Sequence, residues 1–388
     1  MTDQPQAIIG PDIFDGDTLH RDHALVLAGG RVAAIVPRST LDPTVSVKRL
    51  EGGVILPGFV DLQVNGGGGV MFNEDPSVGA LRRMARAHAR LGATSILPTL
   101  ITDASDRTDA AIEAVAGAVA EGVPGILGLH LEGPHLDVRR KGAHEARFIR
   151  PMTDADLERL LHAATRLPLL KMTLAPESAR PDQIRALSAA GVLVSLGHSD
   201  TGFDAAREAA DAGARCVTHL FNAMSQLGNR EPGLVGAALA LGGLSAGLIA
   251  DGVHVHPETV KLALRAKAGP GRIFLVSDAM AVAGTDAPGF ELGGRRVLRR
   301  DGRLTLEDGT LAGADLDLLT ALRNLLAWQA VPLETALAMA TSIPARLAGL
   351  ADGAGTLKPG ARADILHVDL QGDAAARVWR GGQPLPES

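Results

Sequence analysis

Tyrosine is absent from this chain of 388 residues, aromatic residues make up only 3%, and cysteine occurs once, as Cys216. A single cysteine cannot form an intrachain disulfide, which excludes a disulfide-stabilised scaffold and predicts a reducing, cytoplasmic compartment. No lysine- or arginine-rich run stands out and the net charge is −6, so the sequence indicates no nucleic-acid partner. No apolar run reaches the length of a membrane-spanning helix, which predicts no membrane partner.

The composition is that of a packed globular protein. Hydrophobic residues make up 46% of the chain and charged residues 21%, which excludes the low-hydrophobicity composition of a disordered protein. The length is sufficient for one barrel of about 250 residues and a smaller companion domain.

Apolar β-type runs alternate with helical patterns through the middle of the chain, which is typical of βα units around a parallel sheet. Two helix starts are marked by capping residues, Ser77 and Thr153. There are eight apolar runs: Val54 to Leu62, Ser95 to Leu100, Gly125 to Leu131, Leu169 to Leu174, Val192 to Leu196, Arg215 to Leu220, Leu244 to Ala250 and Ile273 to Ser277. Eight runs predict an α/β fold, a closed (β/α)8 barrel of the TIM type.

Both ends of the chain have β-type patterns. Ala24 to Ala28 and Arg31 to Val36 flank the pair Gly29-Gly30, which suits a two-residue hairpin turn. Near the other end, Ala363 to Val368 and Ala376 to Trp379 are short strand candidates. We therefore predict a small β-sandwich domain built from residues 1–55 and 349–388, with the catalytic barrel over residues 56–348.

Four ionisable side chains follow predicted strands three, five, six and eight: Glu132, His198, His219 and Asp278. The active site of such a barrel lies at the carboxyl ends of its strands, so these side chains are expected to converge. Converging ionisable groups are costly to desolvate unless a metal organises them. A lone histidine is more often structural, and that is the interpretation for His20, His23, His88, His162 and His367.

Glu132, His198 and His219 form a plausible set of metal ligands, two imidazoles and one carboxylate, which is typical of a catalytic divalent ion with one open position. Zinc is the first choice, since it can lower the pKa of a coordinated water to about 7. Asp278 could then accept the water's proton as general base and deliver it to the departing amine as general acid. The alternative role for Asp278 is to cap a helix or loop.

A set of motifs spanning roughly residues 56–360 resembles the N-acetylglucosamine-6-phosphate deacetylase family of the amidohydrolase superfamily. The resemblance implies a barrel with a small β domain built from both chain ends, and it implies the same metal ligands and the same acid/base residue. The motifs are Leu56-Pro57-Gly58-Phe59-Val60-Asp61, Pro98-Thr99-Leu100-Ile101-Thr102, Gly128-Leu129-His130-Leu131-Glu132-Gly133-Pro134, Lys141-Gly142-Ala143-His144, Leu174-Ala175-Pro176-Glu177, Gly197-His198-Ser199, Thr218-His219-Leu220-Phe221-Asn222-Ala223-Met224, Arg230-Glu231-Pro232-Gly233, Asp251-Gly252-Val253-His254 and Ser277-Asp278-Ala279.

The resemblance also implies a set of substrate contacts: Ala143, His144, Asn222, Ala223, Arg230, His254, Leu311, Ala312 and Gly313. His144 would act catalytically by polarising the acetyl carbonyl. His254 and Arg230 would bind the sugar phosphate, because the planar guanidinium matches phosphate oxygens. From the residues alone, Arg230 could instead be a solvated loop charge. His135 and His256 lie beside motif residues and remain unassigned.

The chain departs from many amidohydrolases at the end of strand one. A His-x-His pair that would bind a second metal is replaced by Gln63 and Asn65, and amides are weak ligands there. Lys171 lies too early in strand four to serve as a bridging ligand. We therefore expect one divalent ion per subunit, although a loosely held second ion stays open.

The resemblance implies that the chain hydrolyses the acetamide of N-acetylglucosamine 6-phosphate to glucosamine 6-phosphate and acetate. Two alternatives stay open: the epimeric N-acetylgalactosamine 6-phosphate as substrate, or a non-catalytic barrel retained as a binding protein. The second alternative predicts missing ligands, whereas this chain retains the complete set. The family also implies a homodimer in which Arg230 reaches the neighbouring active site.

Overall fold

Eight parallel strands form the centre of the computed structural model, which describes residues 4–350 and 353–386. The predicted terminal segments include the other seven residues, which lie outside this range. Each barrel strand pairs with its neighbours along the chain. In order, barrel strands 1 to 8 are Val60–Val64, Ser95–Ile101, Leu129–Glu132, Leu170–Leu174, Leu193–Leu196, Cys216–Val217, Ser245–Leu248 and Ile273–Leu275.

The barrel closes between strands 1 and 8 at their carboxyl ends. Val64 forms a parallel bridge with Ala279. The backbone N–H of Asp278 donates to the carbonyl oxygen of Gln63 (3.1 Å), and that of Asn65 donates to Ala279 (2.9 Å). The predicted (β/α)8 barrel is confirmed, and its closure brings the ends of strands 1 and 8 together.

Helices pack around the barrel and bury their apolar faces against it. Ser77 caps the first helix by accepting from the backbone of Ala80 at 3.1 Å, and Thr153 forms a capping box with Asp156, as predicted. Such caps stabilise a helix by about 1 kcal/mol each. The ten α-helices of the described residues are Val78–Arg90, Ser105–Ala120, Asp154–Arg166, Pro181–Ala189, Phe203–Asp211, Gly233–Ala240, Pro257–Ala266, Leu318–Ala327, Leu333–Ala340 and Ser342–Leu347.

Two sheets built from both ends of the chain form the small β domain. One has four strands, in the order Arg31–Pro37, His23–Ala28, Gln6–Ile9 and Ser46–Arg49. The other has six, in the order Gln383–Pro384, Arg377–Arg380, Ile365–Val368, Val54–Pro57, Asp12–Phe14 and Leu19–His20. Side chains from both sheets share one apolar cluster that includes Ile8, Leu25, Ile55 and Trp379. The hairpin turn at Gly29-Gly30 is confirmed by the pairing of Ala28 with Arg31.

The first predicted run, Val54 to Leu62, is divided into two strands. Val54–Pro57 pairs with Ile365–Val368 in the small β domain, and the barrel strand begins only at Val60. Pro57 and Gly58 lie at the break between the two strands. Proline has no backbone N–H, so Pro57 cannot donate a hydrogen bond to a neighbouring strand. The chain therefore passes from one domain to the other within three residues.

A four-stranded antiparallel sheet follows barrel strand 8 and was not predicted. Its strands are Gly289–Leu292, Arg295–Arg300, Arg303–Leu306 and Leu311–Ala314. Its first two hairpins turn at Gly293-Gly294 and Asp301-Gly302, where all four residues have positive φ as two-residue turns require. The sheet, called the insert below, packs Leu292, Val297 and Ala312 against Met280 near the barrel mouth.

Within the described residues, no helix combines the length and apolar character that spanning a bilayer would require.

Candidate active site

A cavity of about 260 Å³ opens at the carboxyl ends of the barrel strands. It is lined by Asn65, Ile101, Glu132, Gly142, Ala143, His144, His198, His219, Asn222, Ala223, Ile249, His254, Asp278, Met280, Leu292, Thr310, Leu311 and Gly313. A larger cavity of about 510 Å³ lies at the opposite end of the barrel, where two of its polar side chains, Asp17 and Arg346, pair with each other. The smaller cavity contains the side chains that can perform chemistry.

Three buried side chains converge in this cavity as possible metal ligands. Oε1 of Glu132 lies 3.1 Å from Nε2 of His198 and 3.0 Å from Nε2 of His219. The two imidazole Nε2 atoms are 3.1 Å apart, so they cannot both carry a proton towards each other. A tetrahedral ion with bonds of about 2.0–2.1 Å separates its ligand atoms by about 3.3 Å, which fits these distances. Among the described residues this is the one cluster of three or more possible metal ligands.

The charges of the cluster also suit a cation. Burial acts to raise the pKa of Glu132, but the hydrogen bonds from His198 and His219 outweigh it and hold that pKa well below its usual range. Glu132 is therefore a carboxylate at neutral pH. Two neutral imidazoles and one carboxylate would leave a divalent ion with a net positive charge, as a Lewis-acid centre requires. The geometry and the charges of the cluster together suit a divalent metal site.

Asp278 lies at the end of barrel strand 8, buried and held by two amides. Its Oδ1 accepts from Nδ2 of Asn65 at 2.8 Å and from Nε2 of Gln63 at 3.1 Å. Gln63 also approaches the two carboxylate oxygens of Glu132 at 3.3 and 3.4 Å. Burial, reinforced by the charge of Glu132, raises the pKa of Asp278. A raised pKa suits a group that must both accept and return a proton near neutral pH.

The ring of His144 packs on that of His198, with centroids 4.3 Å apart. Its Nδ1 lies 2.8 Å from Oγ1 of Thr102, and the backbone N–H of Thr102 donates to the same nitrogen at 3.3 Å. Because Nδ1 accepts from the backbone, the proton lies on Nε2, and His144 can donate a hydrogen bond into the cavity. Burial, and then the nearby His198, lower the pKa of His144 well below its usual range, so the ring is neutral.

His254 is oriented by a carboxylate that the sequence analysis did not select. Oδ2 of Asp251 lies 2.6 Å from Nδ1 of His254, while Oδ1 accepts from the backbone N–H groups of Val253 and His254. Both side chains are largely buried. Asp251 therefore fixes which edge of the His254 ring faces the cavity.

The predicted substrate contacts are largely brought together. Six line the cavity as described above: Ala143, Asn222, Ala223, His254, Leu311 and Gly313, in addition to His144. Ala312 does not, because it alternates to the other face of the strand and is buried in the core of the insert. Arg230 is exposed on the loop after barrel strand 6 and does not line the cavity of its own chain.

The two unassigned histidines have structural contacts. Nδ1 of His135 lies 3.1 Å from the carbonyl oxygen of Arg150. His256 caps the helix that begins at Pro257, because its Nδ1 accepts from the backbone of Glu258 at 3.2 Å. Neither residue lines the cavity.

Sequence reasoning missed Thr102, Asp251 and the insert. The insert had a detectable signal, since Gly293-Gly294 and Asp301-Gly302 are hairpin turn pairs flanked by alternating apolar residues. Asp251 lies three residues before His254 in a quoted motif, but the spacing alone does not show that the two side chains meet.

Comparison with known proteins places the chain among amidohydrolases. The model of the amidohydrolase family matches residues 54–385. The chain is 42% identical over 337 residues to the N-acetylgalactosamine-6-phosphate deacetylase of Shewanella sp. (strain ANA-3), covering 87% of this chain and 84% of that protein. It is 32% identical over 362 residues to the N-acetylglucosamine-6-phosphate deacetylase of Haemophilus influenzae, covering 92% and 94%. The crystal structure of N-acetylglucosamine-6-phosphate deacetylase from Pasteurella multocida superposes with a TM-score of 0.93 at 32% identity, over 99% of this chain and 100% of that one.

Proposed function

The chain belongs to the amidohydrolase family, and we propose that it removes the acetyl group from an N-acetylhexosamine 6-phosphate, with N-acetylglucosamine 6-phosphate as the first candidate. The products are the amino sugar phosphate and acetate. The observation that carries this proposal is the meeting of three side chains that could hold a metal with the buried Asp278 in one cavity at the barrel mouth. The relatives named for deacetylation of amino sugar phosphates support the substrate class.

Glu132, His198 and His219 would hold the ion, which we propose to be zinc because the ligand set and its spacing suit a tetrahedral site. When bound, such an ion supplies Lewis acidity, lowering the pKa of a coordinated water and polarising a carbonyl. We propose one ion per chain. Asn65 and Gln63 donate their side-chain N–H groups to Asp278, so a second ion would have only their amide oxygens, which are weak ligands in place of an imidazole pair.

The side chains around the ion divide the proton transfers. Asp278 accepts the proton of the water that attacks the acetyl carbon, and it returns this proton to the sugar nitrogen as the C–N bond breaks. His144 donates from Nε2 to the carbonyl oxygen, on which negative charge develops during the attack. Asn65 and Gln63 keep the Asp278 carboxylate oriented throughout both transfers.

A sugar phosphate is expected to be bound by cationic groups. Among the described residues, no lysine or arginine lines the cavity, whereas Arg230 is exposed on a loop at the same end of the barrel. We propose a homodimer in which Arg230 enters the partner's cavity and meets the phosphate together with His254. We also retain the cytoplasm as the proposed location, on the evidence of a chain whose only cysteine, Cys216, is a buried free thiol.

One specific observation favours a second substrate. The Shewanella relative, at 42% identity, is named for the galacto epimer, and the relative from Haemophilus influenzae for the gluco epimer is 32% identical. The two substrates differ only in the orientation of one hydroxyl group.

The test is an acetate-release assay on the gluco, galacto and manno epimers of N-acetylhexosamine, each with and without the 6-phosphate. The proposal expects kcat/KM for a phosphorylated epimer to exceed that for the same unphosphorylated sugar. A higher kcat/KM for the galacto compound would select the second candidate. Absence of acetate release from all six compounds, by protein loaded with zinc, would overturn the proposed function.

A further inference from the structure

One short segment, residues 137–141, contacts the metal-ligand candidate His198 on two sides. The carbonyl oxygen of Arg140 lies 2.8 Å from Nδ1 of the imidazole. The backbone N–H of Asp137 donates to the carbonyl oxygen of His198 at 2.8 Å. We call residues 137–141 the clamp segment. With a metal bound in place of the Nε2 proton, this contact would keep the ring proton on Nδ1 and direct the lone pair of Nε2 at the metal.

His219, the second histidine among the candidate metal ligands, has no comparable hydrogen bond to its Nδ1 in the described part of the chain, and this nitrogen is buried. A histidine that binds a metal usually donates its second N–H to a carbonyl or carboxylate, which fixes both the tautomer and the ring orientation. In this site the carbonyl oxygen of Arg140 provides that support for one histidine only.

The clamp segment is itself fixed by charged side chains. Nε of Arg140 donates to Oδ1 of Asp200 at 2.7 Å, and its Nη2 lies 2.6 Å from the same oxygen. Arg139 pairs with Asp137 and approaches Oδ2 of Asp200 at 3.2 Å. Asp200 therefore contacts both arginines of the clamp segment, and it lies only two residues after His198.

Glu177, at the end of barrel strand 4, completes this arrangement. Its Oε1 accepts from the backbone N–H of Asp200 at 2.9 Å, and its Oε2 accepts from the hydroxyl of Ser199 at 2.7 Å. The residues directly after His198 are thus held by one strand end, while the clamp segment is held by Asp200. Three carboxylates and two guanidinium groups connect strand ends 4 and 5 to the loop after strand 3.

We propose that Asp200 is a positioning residue for the metal site. Through its ion pair with Arg140 it holds the Arg140 carbonyl against Nδ1 of His198, and so presents Nε2 to the ion. Asp200 is not placed in contact with the ion or the substrate. This proposal rests on the proposed metal-binding function of His198.

An ordinary surface ion pair would behave differently. The side chain of Arg140 is 36% exposed and that of Asp200 is 29% exposed, and exposed ion pairs contribute little to stability. If the pair had only this structural role, its removal would change the free energy of unfolding slightly and leave metal affinity unchanged. A positioning role predicts a loss of metal affinity that exceeds the effect on folding.

The experiment measures zinc affinity of the full-length protein by competition with a chromophoric chelator. Asp200→Asn should weaken zinc binding by roughly 10- to 100-fold, as is usual when a group that orients a metal ligand is removed. Asp200→Glu should restore part of the affinity. The matched control is Asp204→Asn, which breaks an exposed ion pair with Arg207 on the next helix and should change zinc affinity by less than about 2-fold.

A second variant keeps the test decisive if Asp200→Asn folds poorly. Arg140→Met removes the same ion pair from the other side and retains the backbone carbonyl. The double variant should lose no more affinity than the more affected single variant, because both changes break the same Arg140–Asp200 contact. Zinc affinity within about 2-fold of the parent in a folded variant would overturn the proposal. Chelator competition does not use the sugar substrate. A negative deacetylase assay would therefore not change the interpretation of the zinc affinities.

Discussion

Nδ2 of Asn65, at the end of barrel strand 1, donates a 2.8 Å hydrogen bond to Oδ1 of Asp278, at the end of barrel strand 8. The bond crosses the seam where the barrel closes. The position where many related enzymes have a metal-binding histidine is therefore occupied by an amide that orients the proposed acid/base. Under the proposed function, one ion and one oriented carboxylate would take the place of a site for two ions.

Replacing Asn65 with alanine should lower kcat by about 10-fold, since a hydrogen bond to a charged group contributes about 1.5–3 kcal/mol. In the parent, the hydrogen bond from Asn65 lowers the pKa of Asp278. Without this donor the pKa should rise, and the acid limb of the pH–rate profile should move to higher pH. Asn73→Ala is the control, because its amide binds Asp103 instead. An unshifted acid limb with normal kcat would remove Asn65 from the mechanism.

Replacing Asp278 with asparagine should reduce kcat by at least about 10²-fold, because the general base and acid is lost. Metal content should be unchanged, since Asp278 is not among the three clustered ligands. The measurement is steady-state turnover together with elemental analysis of the same sample. Near-normal turnover with full metal content would contradict the assigned role.

Metal analysis should find one tightly held divalent ion per chain. The imidazole pair of a second site is missing because positions 63 and 65 are Gln63 and Asn65, whose side-chain N–H groups are donated to Asp278. His219→Ala should empty the site by removing one of three ligands. Two ions per chain retained after exhaustive dialysis would show the single-metal interpretation to be wrong.

Arg230→Ala should raise KM for the phosphorylated sugar by roughly 10- to 10³-fold, corresponding to about 1.5–3 kcal/mol for a lost charge-assisted hydrogen bond plus residual pairing effects. Turnover of the unphosphorylated sugar should hardly change. Mixing Arg230→Ala chains with Asp278→Asn chains should restore part of the activity, because one cavity of a mixed dimer then has both residues intact. If subunits exchange and no activity returns, the arginine does not act across the interface.

Asp61 should make the stability of the metal-free protein depend on pH. Burial raises the pKa of Asp61 to about 7 from its ordinary value of 3.8, so the folded state binds more protons than the unfolded state between those values. Stability should therefore fall as pH rises through this window, by no more than roughly 4 kcal/mol. The asparagine of Asp61→Asn stays uncharged at every pH. In urea unfolding titrations, the free energy of unfolding of this variant should therefore not decrease through this pH window. An unchanged pH dependence in the variant would contradict the raised pKa.

The architecture was predictable because it depends on repeating patterns. Apolar runs of strand length between amphipathic helices identify the barrel, and the barrel geometry then places the ends of its strands on one face. That rule brought Glu132, His198 and His219 together before any distance was known. The candidate metal ligands needed only a strand end and a residue type to be found.

The supporting contacts were not predictable in the same way. Asn65 was interpreted as the loss of a metal ligand, and only the closure of the barrel shows that its amide reaches Asp278. Asp200 and Arg140 are 60 residues apart and lie on loops, where no periodicity connects them. Contacts between loops depend on the relative position of strand ends, which a sequence pattern does not specify.

His198, His219 and Asp278 share a left-handed backbone, with φ of 46°, 27° and 50°. Residues other than glycine adopt this conformation at a cost of about 1–3 kcal/mol each, which the rest of the fold must offset. If these residues act as proposed, substitution by glycine would relieve the backbone strain and abolish activity, so stability and activity would be opposed at these positions. Laboratory evolution that selects for heat tolerance alone would enrich stable but inactive variants of this protein. Turnover must therefore be measured in every round of selection.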